Sequence, residues 1–145
     1  MSRCYPAILP LLAALLLAPV AFAQSLVDQW RAGLAGSQLT AYQGSPVRDH
    51  STLTVIKFCR GGRYHYYREG SWMAPGRPGE PSVGGGASQG RISGTWDVAQ
   101  QGWTVFLVYQ TDDGRQGSFP MYLQHNGRVN IGGLAYAVVQ GGAGC

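Results

Sequence analysis

The stretch TVIKFCRGGRYHYYREG, residues 54–70, holds two β-forming runs that meet at Gly61-Gly62. Branched and aromatic side chains suit a pleated, half-buried strand. Glycine accepts the positive φ that a two-residue hairpin turn requires. The stretch therefore reads as an antiparallel hairpin. Asp113-Gly114 and Asn126-Gly127 repeat the signal further along. Together these turns predict an all-β chain: a small antiparallel meander of about eight strands, forming a closed or partly open barrel or a sandwich. Closure would also remove exposed strand edges.

The strands are expected at 38–42, 52–60, 63–69, 91–98, 103–111, 115–123, 128–131 and 134–139. Gly132-Gly133 marks a tight bend or bulge between the last two. A short helix precedes the meander. Ser25 is its cap, Asp28 completes an imperfect capping box, and Val27, Trp30 and Leu34 share one face before Gly36 ends it.

Two-residue turns also fix an expected register. With Gly61-Gly62 as the turn, Cys59 faces Tyr64, Phe58 faces His65 and Ile56 faces Tyr67. Side chains alternate across a strand, so Ile56, Phe58, His65 and Tyr67 would share one face. Asp113-Gly114 pairs Val108 with Phe119 and Phe106 with Met121, and Asn126-Gly127 pairs Tyr122 with Ile131. Both faces of that sheet then come out apolar, where a solvated antiparallel sheet has one polar face. The second face needs a cover (the helix, the long loop or a partner) or it encloses a cavity.

The chain opens MSRCYPAILPLLAALLLAPVAFAQS. Arg3, an apolar stretch and Ala21-Phe22-Ala23 form the pattern of a signal peptide, expected at 1–23 and cleaved after Ala23. Residues 24–145 would then be a single β-domain, periplasmic or secreted, with no stable membrane span. Eleven Lys and Arg less Arg3, against seven Asp and Glu, leave a net charge of +3. These basic residues form no stripe, so no nucleic-acid partner is expected. Cys59 and Cys145 remain in the exported part, and an even count there predicts one disulfide between them.

Motifs for chemistry are sparse. His50, His65 and His125 lack metal-ligand spacing, so no metal is expected. No spacing places a nucleophile beside His65. Asp112-Asp113 occupies a turn, where the two carboxylates diverge into solvent. Gly84-Gly85-Gly86 is not followed by the Lys and Ser/Thr of a phosphate loop. The segment 71–90 is rich in glycine and proline and reads as a long surface loop, with Trp72 and Met73 anchoring its start.

Gly94-Thr95-Trp96 resembles the G-x-W motif of lipocalins, and eight strands in an exported chain are compatible with a lipocalin-like barrel. In that family the motif lies on the first strand, whereas here it falls in the middle of the chain. Three residues establish no membership. Gly94 itself is read as leaving room for another backbone or ring, and Trp96 as a core anchor.

The expected function is a non-enzymatic, cofactor-free binding domain. Its ligand would be an apolar small molecule or an envelope protein, held by a surface drawn from Tyr67, Trp72, Tyr109 and Tyr122. Aromatic side chains there supply contact area with few rotors. A structural or accessory subunit of an envelope complex is the alternative, and a small hydrolase a further one.

Overall fold

The computed structural model describes residues 25–45, 50–73 and 85–145. The expected signal peptide and the middle of the expected loop lie outside the described residues. The chain forms helix α1 (Leu26–Leu34) and eight strands: β1 (Gln38–Ser45), β2 (His50–Phe58), β3 (Arg63–Met73), β4 (Gly85–Gln101), β5 (Thr104–Thr111), β6 (Gln116–Leu123), β7 (Val129–Ile131) and β8 (Leu134–Val139). Each strand pairs antiparallel with its neighbours in sequence, and β8 returns to β1, closing the barrel. This is the all-β meander with a short N-terminal helix expected from the turns.

The expected loop at 71–90 is shorter than its composition implied. Met73 pairs with Gly85, and the ladder runs without a break to Arg63 opposite Thr95. Ladder bonds are made by backbone alone, so glycine-rich 85–90 can pair despite weak strand propensity. His50 sits in β2, opposite Ser45 and Trp72.

The register differs by one residue at all three glycine-marked hairpins, for one shared reason. Phe58 pairs with Tyr64, Ile56 with Tyr66 and Val55 with Tyr67. Val108 pairs with Ser118, Leu107 with Phe119 and Val105 with Met121, while Tyr122 pairs with Asn130. The turns hold three residues, not two. In the first, Cys59 N donates to Arg63 O at 2.8 Å and Gly62 N donates to Cys59 O at 3.1 Å. Thr111 and Arg115, then Gln124 and Arg128, repeat that pattern. Gly62, Gly114 and Gly127 have φ of 88°, 90° and 80°. This is a type I turn closed by a left-handed glycine in a bulge. Gly132-Gly133, with φ of 59° and 93°, is a two-residue turn joining Ile131 to Leu134, as Gly102-Trp103 is between Gln101 and Thr104.

A one-residue slip moves a strand's side chains to the opposite face. Tyr64 and Tyr66 therefore point inward with Ile56 and Phe58, while His65 and Tyr67 lie outside. Phe119 and Met121 share the inner face with Val105 and Leu107, and Tyr122 turns out. The outer face of β6 then carries Gln116, Ser118, Pro120 and Tyr122, so the second apolar face largely disappears.

Helix α1 lies over the barrel end where β1 begins and β8 finishes. Ser25 Oγ accepts from Asp28 N, capping the helix as expected. Leu34 is buried in the core, with Val27 and Trp30 packed against it. Arg31 bridges to Asp97 of β4 at 2.8 Å, and Gln140 Nε2 donates to Gly33 O. Among the described residues no helix is long and apolar enough to cross a membrane. Cys59 and Cys145 form the expected disulfide, tying the C-terminus to the β2–β3 turn.

Candidate functional site

Inside the barrel the inward side chains leave a cavity of about 410 Å³. Its wall is mostly ring surface: Phe58 from β2, Tyr64 and Tyr66 from β3, Trp96 from β4, Tyr109 from β5, Phe119 from β6 and Tyr136 from β8. Aliphatic groups of Ile56, Ile92, Leu107 and Leu134 fill between them. The rings hold one another in place. Phe58 meets Trp96 edge to face at 5.0 Å, and Tyr64 meets Tyr109 edge to face at 6.2 Å. Tyr109 stacks on Phe119 at 5.6 Å with planes 10° apart. Such pairs add to the apolar burial of each ring.

Two glycines make room for the stack. A Cβ on Gly117 would lie 2.5 Å from the Tyr109 hydroxyl, and one on Gly132 would lie 2.8 Å from the Phe119 ring. Trp96 is fixed by its polar tip, since Nε1 donates to Cys59 O at 3.2 Å. The same carbonyl belongs to the disulfide-bonded residue. The staple, the β2–β3 turn and the cavity wall are therefore mechanically continuous.

The polar groups at the cavity are few. Burial raises the Tyr64 hydroxyl above its usual pKa, and burial pushes Tyr136 up to about 12. Neither hydroxyl has a protein hydrogen-bond partner among the described residues, so both remain neutral donors at physiological pH. Arg115 reaches the mouth beside Thr111. Thr111 Oγ1 is committed to Asp113, in a short hydrogen bond, and to the Arg115 backbone.

The Tyr136 shift carries a pH prediction. Its folded pKa lies above the unfolded value near 10, so its contribution is fully present below about pH 10. It is lost as pH rises through about 12, because the unfolded chain ionises first. Thermal melts from pH 8 to pH 12 should show Tyr136→Phe losing less stability than wild type above pH 10. Parallel curves for the two proteins would contradict the burial of this hydroxyl.

Of the residues expected to bind whose side chains are described, Tyr109 lines this cavity and Tyr67 and Tyr122 do not. Tyr67 faces out, donates to Glu69 Oε2 at 2.8 Å and lies under the Arg91 guanidinium at 5.3 Å. Tyr122 also faces out and is 55% exposed. Trp72 falls on β3, opposite His50 and Gly86. Sequence reasoning missed Tyr64, Tyr66, Phe119 and Tyr136 as wall residues. The signal that would have found Tyr64 and Tyr66 is the bulged turn, which puts them in line with Ile56 and Phe58.

Three other places hold reactive or apolar groups. On the outer wall Ser93 Oγ lies 2.8 Å from His65 Nδ1, a pairing that no sequence spacing disclosed. Next to it Arg63 holds both oxygens of Asp112 at 2.7 Å, which keeps that carboxylate below its usual pKa. His65 also lies within 4.8 Å of the two cysteine sulfurs, but these are bonded to each other, leaving only the imidazole of that trio as a metal ligand. A second cavity, about 420 Å³, runs beneath α1 between Leu26, Trp30 and Leu34 on one side and Leu123, Val129 and Val138 on the other. Finally, Trp103 stands at the tip of the β4–β5 hairpin, 99% exposed.

No protein-family model matches this chain, and no curated protein or solved structure is significantly similar to it.

Proposed function

We propose that this domain is an exported, non-enzymatic binding protein that takes up one small, largely apolar, ring-bearing molecule inside the barrel. The observation that carries this is the ring-walled cavity of about 410 Å³ with two unpartnered tyrosine hydroxyls. That volume is typical of pockets for one small molecule, and so is an apolar wall with a few polar groups. Eight strands make an interior just wide enough for side chains or for one such ligand. Export, to the periplasm or the outside, is supported by the Cys59–Cys145 bond, since structural disulfides persist in oxidising compartments.

Binding is favoured over hydrolysis by where the polar clusters lie. The Ser93–His65 pair sits on the exposed outer wall, and Asp112 is already engaged by Arg63. A protein partner is the second reading. Exposed Leu26 and Leu123 in the lining of the groove beneath α1 favour it.

The test uses naphthalene-2-carboxamide as a neutral ring probe. Titration should move the methyl resonances of Ile56, Ile92, Leu107 and Leu134 saturably. Leu134→Trp fills the same space and should weaken the probe by about tenfold or more. Shifts clustered instead at Leu26, Leu123 and Val138 would transfer the site to the groove beneath α1. A flat titration would remove the cavity as a binding site for ring compounds.

A further inference from the structure

We infer that the molecule held in the barrel is a planar ring compound bearing a carboxylate, with the charged group at the Arg115 end of the cavity. This rests on the cavity-binding reading above and adds the ligand's charge.

Ring-walled cavities suit two opposite kinds of ligand. Their π faces attract a cation, as in cages that hold quaternary ammonium groups. They also stack planar aromatic rings of any charge. The polar groups at the mouth decide between these. Arg115 lines the cavity, and only its Nε is occupied, by Asp113 at 3.1 Å and 3.2 Å. Its two Nη groups have no hydrogen bond among the described residues. Alternation along β3 places Arg68 on the face of Tyr64 and Tyr66, and its charge acts on the Tyr136 hydroxyl. Arg68 has no ion-pair partner among the described residues.

The acidic groups nearby among the described residues are all engaged. Asp112 gives both oxygens to Arg63, Asp113 is held by Thr111 and Arg115, and Glu69 accepts from Tyr67 on the outer wall. A cationic ligand would meet the Arg115 guanidinium in the wall, with Arg68 near enough to act on Tyr136, and no free carboxylate among the described residues. An anion would meet the open side of the Arg115 fork, which matches a carboxylate in geometry as well as charge. The unpartnered Tyr136 hydroxyl lies in the field of Arg68, whereas Tyr64 feels Asp112 and Asp113 as well as Arg115. Either phenol can donate to the second carboxylate oxygen or to a ring substituent.

Three probes of one ring size separate the possibilities: 2-naphthoate, naphthalene-2-carboxamide and 2-naphthyltrimethylammonium, each titrated calorimetrically into the oxidised domain. The naphthoate should bind about tenfold tighter than the amide, one charge-assisted hydrogen bond's worth, and the ammonium most weakly. Raising the salt concentration should narrow the naphthoate's advantage. Arg115→Gln should reduce it to less than about threefold, since the Arg115 fork, 68% exposed at the mouth, is the main source of the preference. Equal binding of naphthoate and amide, or a preference for the ammonium, overturns the inference while leaving the cavity as a ring-binding site. So does an undiminished gap in Arg115→Gln. If none of the three binds, the cavity-binding proposal falls, and the ligand's charge falls with it.

Discussion

Cys145→Ser should lower the free energy of unfolding by about 4 to 5 kcal/mol. The estimate comes from the unfolded chain. The bond joins residues 86 apart, and releasing a loop of that length restores conformational freedom to the denatured ensemble. The folded side loses little in compensation. Ala143 N still donates to Gly36 O at 3.2 Å, and buried Ala143 still anchors the C-terminal turn. Small domains are stable by only about 5 to 15 kcal/mol, so the variant should sit near the threshold of folding. Urea unfolding followed by tryptophan emission measures the change. The Cys59→Ser, Cys145→Ser double variant should match the single one, which excludes effects of a stray thiol. A loss under about 1 kcal/mol would mean that the reduced, unfolded chain already keeps these ends close.

The fold was legible because its punctuation is local. Glycine at Gly62, Gly114, Gly127 and Gly133 marks four of the turns by the φ it must adopt, and a turn specifies an antiparallel neighbour without knowledge of the rest. The disulfide was legible from cysteine number and expected export alone. The register was not legible from the turns, because Gly-Gly, Asp-Gly and Asn-Gly suit both a two-residue turn and a three-residue turn with a bulge. Only φ at the residue before the glycine, left-handed in the two-residue turn and right-handed in the bulged one, separates them. The sequence did hold a warning. Two apolar faces on β5 and β6 is an improbable sheet, and a slip of one residue brings Phe119 and Met121 to the side of Val105 and Leu107.

The cavity was hidden for a different reason. Tyr109 could be named from its strand, but empty volume depends on how all the inward rings divide a closed barrel. No window of sequence reports that. Ser93 beside His65 is hidden in the same way, since the two meet only across the β3–β4 ladder.

Gly94→Ala should cost about 3 kcal/mol or more, although most glycine-to-alanine changes in a compatible backbone are neutral or stabilising. The sequence reading of Gly94 as a place of close approach has a definite partner here. A Cβ would lie 1.9 Å from Gln110 O, 2.8 Å from Gln110 C and 2.9 Å from Thr111 Cα. All three are backbone atoms of β5, so no side chain can swing away to admit the methyl. At this point β4 pairs with both neighbours, Tyr64 on β3 and Thr111 on β5. Moving β5 outward would stretch the bond from Asp112 N to Ser93 O, now 2.9 Å, and separate Tyr109 from Tyr64 in the cavity wall. Gly90 on the same strand is the control. Its Cβ would meet nothing, so Gly90→Ala should stay within about 0.5 kcal/mol of wild type. Urea midpoints of the two variants decide the matter, with naphthalene-2-carboxamide titration as a second readout that should fail for Gly94→Ala before it fails for Gly90→Ala. If both variants unfold with wild-type midpoints, β5 does not cross so close to Gly94, and the tight side of the barrel that positions the Tyr64–Tyr109 contact is wrong.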